Sequence, residues 1–121
     1  MNAPVPAGRL AAAAADQQEL ARRLARETRG EVLFDAASRG RYATDASIYQ
    51  IMPLGVFVPR TQDDVATALA LARELKVPVL PRGAGSSQCG QTTGAALVID
   101  NSKYLRKLIS VDVQARSEER R

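Results

Sequence analysis

Histidine is absent from this chain, tryptophan is absent too, cysteine occurs once, and three Tyr and two Phe supply all the aromatic rings. Each shortage removes a class of chemistry. With no imidazole and a single thiol, a zinc site has almost no ligands and an internal disulfide is impossible. So few rings make a poor stacking platform for single-stranded nucleic acid, and no nucleic-acid partner is expected. No apolar run approaches the roughly 18 residues that a membrane span requires. Charge of either sign is also modest in excess: 17 Lys and Arg face 13 Asp and Glu, a net of +4. Part of that excess sits at Arg22, Arg23, Arg26 and Arg29 and in the last residues, where charge runs form solvated faces. Residues 1–15 are rich in Ala and Pro but lack a positive leading segment, and Arg9 interrupts the apolar stretch. They read as a disordered arm rather than a secretory signal. Together with the lone cysteine this points to a cytoplasmic chain, long enough for one modest domain.

What is present in quantity is glycine in one place. Between Val77 and Gly94 the chain runs VPVLPRGAGSSQCGQTTG. A short apolar run ends at Pro81, and glycines follow at 83, 85, 90 and 94 with hydroxyls at 86, 87, 92 and 93. Without Cβ atoms, successive N–H groups can turn toward one centre and an anion can approach closely. Ser86, Ser87, Thr92 and Thr93 are neutral donors for such a centre, and Arg82 brings a permanent charge to its edge. The segment reads as an anion cradle suited to phosphate or pyrophosphate, although a plain glycine-rich turn accounts for the glycines alone.

Two familiar phosphate motifs do not fit. Gly85 to Thr92 has the spacing of a nucleoside-triphosphatase loop, but Gln91 stands where that loop needs lysine. The dinucleotide fingerprint G-x-G-x-x-G fails because position 88 is glutamine. The strand-like run ALVID follows at once, so no long helix offers its N-terminus to the anion, and the loop must bind through its own backbone.

The string PRGAGSSQCGQTTGAALVIDNSKYLRKLISVD resembles the pyrophosphate segment of FAD-linked oxidases and dehydrogenases of the vanillyl-alcohol oxidase superfamily, also called the p-cresol methylhydroxylase type. Within that superfamily it is most similar to the D-lactate dehydrogenase and glycolate oxidase flavoprotein group. Pro81, Arg82, Gly83, Gly85, Ser86, Ser87, Gly90, Gln91 and the strand Leu97 to Asp100 fit the group's pattern. Ala84 stands where many members carry a middle glycine, which keeps the N–H but requires a backbone that tolerates Cβ. Cys89 replaces a small residue and is itself small; a tight-turn role suits it better than a reactive thiol, which needs electropositive, accessible surroundings. The segment Arg41 to Ser47 is similar to the same group. There Tyr42 and Asp45 read as a packed ring and an Asx-type turn rather than as catalytic groups.

The resemblance implies an α+β (α/β) fold, the N-terminal part of an FAD-binding domain with a βαβ unit. It implies residues Pro81, Arg82, Gly83, Ala84, Gly85, Ser86, Ser87, Gly90 and Gln91 around the FAD pyrophosphate. Some relatives attach FAD through histidine; with none here, the expected complex is non-covalent. The implied activity is oxidation of a 2-hydroxy acid of the D-lactate or glycolate type. The resemblance covers roughly residues 30–113, and the family's larger remaining part, with its substrate pocket, is not in this chain, so no catalytic residue is assigned. The alternative is a truncated, non-catalytic module that binds a phosphorylated ligand or a partner protein, with strand edges that favour self-association.

Periodicity supplies the frame. Asp16 to Glu19 resembles a capping box, and Leu20, Ala21 and Leu24 continue as a helix that Gly30 stops. Val32 to Phe34 is a short apolar run. Gly55 to Val58 reads as a buried strand, Thr61 as an N-cap with Asp63 and Asp64 in the first turn, and Val65, Ala68, Leu69, Ala72 and Leu75 as the apolar stripe of a helix. Val77 to Leu80 and Ala95 to Ile99 are further strands, and Leu108 to Val111 begins a fourth, with Leu105 as a core residue. The organisation expected is an arm over 1–15, a partial FAD-binding domain over 16–113 and a charged tail over 114–121.

Overall fold

The computed structural model describes residues 7–120. Helix α1 (Ala7–Glu27) leads into strand β1 (Glu31–Leu33) and the short helix α2 (Ala36–Arg41). Strand β2 (Gly55–Val58), helix α3 (Gln62–Glu74), and strands β3 (Val79–Arg82) and β4 (Leu97–Asp100) follow. A hairpin of β5 (Leu108–Asp112) and β6 (Ser117–Arg120) ends the chain. The mixed sheet with its helices is the α+β architecture expected.

Four strands form one sheet in the order β1-β2-β4-β3. β1 runs antiparallel to β2, while β4 pairs in parallel with β2 on one side and β3 on the other. The strand–helix–strand unit of β2, α3 and β3 is therefore parallel, with β4 inserted between its two strands. Both central strands, Gly-Val-Phe-Val and Leu-Val-Ile-Asp, are buried at every position. That is the continuous apolar run that a parallel strand covered on both faces requires.

One face packs Phe57, Leu97 and Ile99 against Leu20 and Leu24 of α1 and Ala68, Leu71 and Ala72 of α3. The other face packs Val56, Val58 and Val98 under Leu33, Tyr42, Leu80 and Tyr104. Within α3 the stripe is rotated from the expected one. Leu71 takes the core position, one turn on from Ala68, and Leu69 stays 47% exposed, because the helix lies on the sheet along Ala68, Leu71 and Ala72. Thr61 caps α3 through its side chain to the Asp64 amide. Asp64, itself buried, accepts from the amides of Arg29 and Arg60 and so ties the helix start to the chain on either side of it.

Three boundaries depart from the sequence reading. Residues 7–15, expected to belong to a disordered arm, are helical and extend α1 toward its N-terminus; the run Ala11 to Ala15 is the strongest helix-forming composition available. Residues 1–6 of that arm lie outside the described residues. Ser117–Arg120, inside the expected charged tail, pairs with β5, and this hairpin leaves Leu108, Ile109 and Val111 exposed. Leu105 is only half-buried and borders a cavity instead of the core.

Candidate functional site

The glycine loop begins where β3 ends, at the C-terminal edge of the parallel strands, the position where open α/β sheets carry ligands. β3 and β4 are held together at this edge by the Asn101 amide, which donates to the Arg82 carbonyl at 3.1 Å. Beside it opens a cavity of about 700 Å³. Gln62, Val65 and Ala66 from the first turns of α3 form one wall, Gly83 and Ala84 another, and Asn101, Ser102, Leu105 and Arg106 close it.

The loop's first limb is built to receive rather than to hold itself. Among the described residues, the backbone N–H groups of Gly83, Ala84, Gly85 and Ser86 donate to no protein group. Exposed, unpaired amides in succession are the donor array that an anion needs. A Cβ placed on Gly83 would meet no atom within 4 Å, so the glycine leaves open space rather than relieving a protein contact. Gly85 differs: its φ of +71° lies in the left-handed region, and a Cβ there would collide with the Arg82 guanidinium. The glycine is needed for the turn itself.

Arg82 points across the base of the loop. One guanidinium nitrogen donates to the carbonyls of Tyr42 at 3.3 Å and Thr92 at 3.2 Å, and the group sits 5.2 Å from the centre of the Tyr42 ring. Its charge thus serves as a cross-brace at the cradle's edge. Tyr42 is pinned in turn: its hydroxyl donates to Asp100 Oδ2 at 2.5 Å, and burial followed by that carboxylate pushes the phenol up to about 12. Asp100 also accepts from the Ser102 amide and hydroxyl through Oδ1.

In the second limb Thr92 and Thr93 are bonded, while the Gly90 and Gln91 amides, like those of the first limb, have no partner among the described residues. Thr93 donates from both its amide and its hydroxyl to the Gly90 carbonyl. Thr92 donates from its amide (3.4 Å) and its hydroxyl (3.0 Å) to Asp45 Oδ2. The Ser47 amide closes an Asx turn on Asp45 Oδ1 at 2.8 Å, the structural role read for this aspartate. Ser47 first, then Thr92, hold the Asp45 carboxyl down to about 2. Ser87 and Gln91 bond each other through their side chains at 3.4 Å, and the Cys89 amide donates back to the Ser87 hydroxyl. Cys89 is exposed.

Of the residues singled out from sequence, Gly83, Ala84, Gly85 and Ser86 supply the open amides. Arg82 braces the loop, while Ser87, Gly90 and Gln91 shape it. Pro81 lies in β3, opposite Ile99 of β4. Sequence reasoning did not find the cavity wall from α3 or the Asn101 to Arg106 segment. One signal there is visible only in three dimensions: Asn101 Oδ1 is buried and has no hydrogen-bond partner among the described residues. These features fit the nucleotide part of a dinucleotide cofactor: open amides for a diphosphate, room beside them, and an unmatched acceptor at the cavity. Among the described residues no cluster of metal-ligating side chains occurs and no helix is long and apolar enough to cross a membrane.

Comparisons with known proteins give the family. A family profile described as FAD binding domain matches residues 53–118. The D-2-hydroxyglutarate dehydrogenase of Pseudomonas putida is 35% identical over 91 residues, which cover 73% of this chain and 9% of that protein. The glycolate oxidase subunit GlcD of Bacillus subtilis is 37% identical over 84 residues, covering 65% of this chain and 18% of that protein. The chain therefore spans less than a fifth of the length of these curated relatives. Among solved structures, alkyldihydroxyacetonephosphate synthase superposes with a TM-score of 0.65 at 19% identity, over 80% of this chain and 21% of that one. The Physcomitrella patens BBE-like 1 protein gives 0.62 at 20% identity, over 79% and 21%. At such identities these structures speak for the fold.

Proposed function

The chain belongs to the FAD binding domain family, and from that premise we propose that it is the FAD-binding portion of a flavin-dependent oxidoreductase that oxidises a 2-hydroxy acid, with loop 81–91 holding the FAD pyrophosphate. The observation that carries the reading is the run of unpaired amides from Gly83 to Ser86, which starts at the cavity wall with Gly83 and Ala84. Backbone donors fixed in position lose little freedom on binding and favour a dianionic diphosphate over neutral ligands. Arg82 adds a cation next to the same loop. The 2-hydroxy acid is inferred from the relatives, two of which are named for D-2-hydroxyglutarate and glycolate.

When bound, the flavin supplies the hydride acceptor. This chain's residues bind and orient the cofactor's phosphate end in a non-covalent complex; the chain contains no histidine to carry the flavin.

The test is a titration of the purified chain with FAD, followed by flavin fluorescence and by the absorbance retained after gel filtration. Saturable binding that denaturation releases in full is expected. A folded chain that retains no flavin would overturn the proposal. The elution volume in the same run reports self-association through the outer strands β1 and β3 of the sheet, whose edges are unpaired in the monomer.

A further inference from the structure

Segment 43–51 is a closed excursion: Thr44 and Gln50 form an antiparallel bridge, and the Ile51 amide donates to the Ala43 carbonyl at 2.9 Å. Its tip touches the glycine loop at two points. Asp45 takes both donors of Thr92. The Tyr49 ring lies so close to Gly90 that a Cβ there would come within 2.7 Å of it. Arg82 reaches the same limb through the Thr92 carbonyl. Thr92 is thus held by an anion at its amide and hydroxyl and by a cation at its carbonyl, while the first limb makes no such bonds.

We propose that Asp45 is a positioning residue for the cradle: a built-in anion that takes both donors of Thr92 in the second limb and fixes the loop so that the amides of Gly83 to Ser86 face an incoming diphosphate. The inference rests on the FAD reading of the site and deepens it. The carboxylate is well suited to the task. It accepts three hydrogen bonds, from Ser47 and from Thr92 twice, and two of them come from backbone amides whose positions it thereby sets. Asparagine at position 45 keeps the shape but has a single acceptor oxygen, so with the Ser47 bond retained its amine faces the Thr92 amide and hydroxyl and both Thr92 bonds to this side chain are lost.

The experiment is a double-mutant cycle on the folded chain, with Asp45→Asn, Thr92→Val and both together, read by FAD affinity and by the amide resonances of Gly83 to Ser86 without flavin. Each single change is expected to weaken FAD binding about tenfold, and the pair no more than either alone. Asp45→Glu is expected to recover part of the loss. The flavin-free amide resonances of Gly83 to Ser86 should shift in Asp45→Asn although neither residue 45 nor residue 92 touches them. Additive losses, or unchanged affinity with unchanged resonances, overturn the role of Asp45. If the unaltered chain binds no FAD, the functional reading falls, and the amide resonances still decide the clasp: shifted, it stands; unmoved, it fails.

Discussion

Gly83 to Ser86 and Gly90 to Thr93 each open on glycine and end on a hydroxyl residue, yet their backbones are spent differently. In the first limb four successive amides find no partner among the described residues, whereas in the second Thr92 and Thr93 donate through amide and hydroxyl alike to Asp45 and to the Gly90 carbonyl. The glycines do not divide by limb: Gly83 leaves empty space, whereas Gly85 of the first limb (φ +71°, against the Arg82 guanidinium) and Gly90 of the second (φ +75°, against the Tyr49 ring) both shape the backbone. A loop that must both keep a shape and stay open to a ligand can do so by assigning the two demands to separate limbs. The difference teaches that glycine content alone does not tell the open stretch from the bonded one; the hydrogen bonds of Thr92 and Thr93 do.

The sharpest way to test that division is to fill the open limb. Gly83→Leu meets no protein atom at its Cβ, so thermal stability should hold while FAD affinity falls roughly a hundredfold, the cost of displacing charge-assisted bonds to the diphosphate. Calorimetric titration together with a melting curve checks both halves. A melting temperature that drops with the affinity would mean that position 83 shapes the loop as position 90 does.

The reverse experiment loads the closed limb. Gly90→Val forces a β-branched residue into the left-handed region against Tyr49, and about 2 kcal/mol of stability should be lost. Denaturant unfolding measures it. Loss of FAD affinity should accompany the destabilisation here, whereas the two separate at Gly83. Behind both limbs, Tyr42→Phe removes the bond to Asp100 Oδ2 and leaves that oxygen in a buried setting. A smaller cost of about 1 kcal/mol is expected, because Asp100 keeps the two Ser102 donors on its other oxygen. An unchanged unfolding midpoint would show that Tyr42 acts through its ring alone.

How much of this was legible in the sequence follows from which interactions are local. The strand Gly55 to Val58, the Thr61 cap and the loop after β3 announce themselves through short-range chemistry: buried apolar runs, a capping hydroxyl, clustered glycines. The insertion of β4 between β2 and β3 does not, since strand order depends on which faces α1 and α3 cover. Leu69 and Leu71 sit two residues apart in one helix, and only the sheet's placement decides that Leu71 is the buried one. In the site, the small and glycine residues of the first limb were readable as a cradle. The Asp45 contact spans 47 residues and the Arg82–Tyr42 contact 40, so neither partner was legible as a brace. Arg82 in particular carries the charge that the sequence suggests but spends its donors on carbonyls.

The smallest effect expected is also the most specific to the closed limb. The Asp45 carboxyl is held at about 2 in the folded chain against an ordinary 3.8, by Ser47 foremost and by Thr92. A depressed folded value means that the folded state binds the proton less readily than the unfolded chain. The stabilisation from Asp45 is therefore fully present above the ordinary value and is lost as the pH falls from there toward about 2. Since the group is solvent-accessible, the contribution is modest and screened by salt. Asp35 and Glu31 are depressed too, by Ser38 and Lys103 respectively, so a single stability curve mixes several groups. Comparison with Asp45→Asn removes them. The stability gap between the two proteins should be constant from pH 7 to about pH 4 and close between pH 4 and pH 2. Urea midpoints across that range give the gap directly. Parallel curves would show that Asp45 contributes shape without charge, and the contrast between the two limbs would then rest on packing rather than on an internal anion.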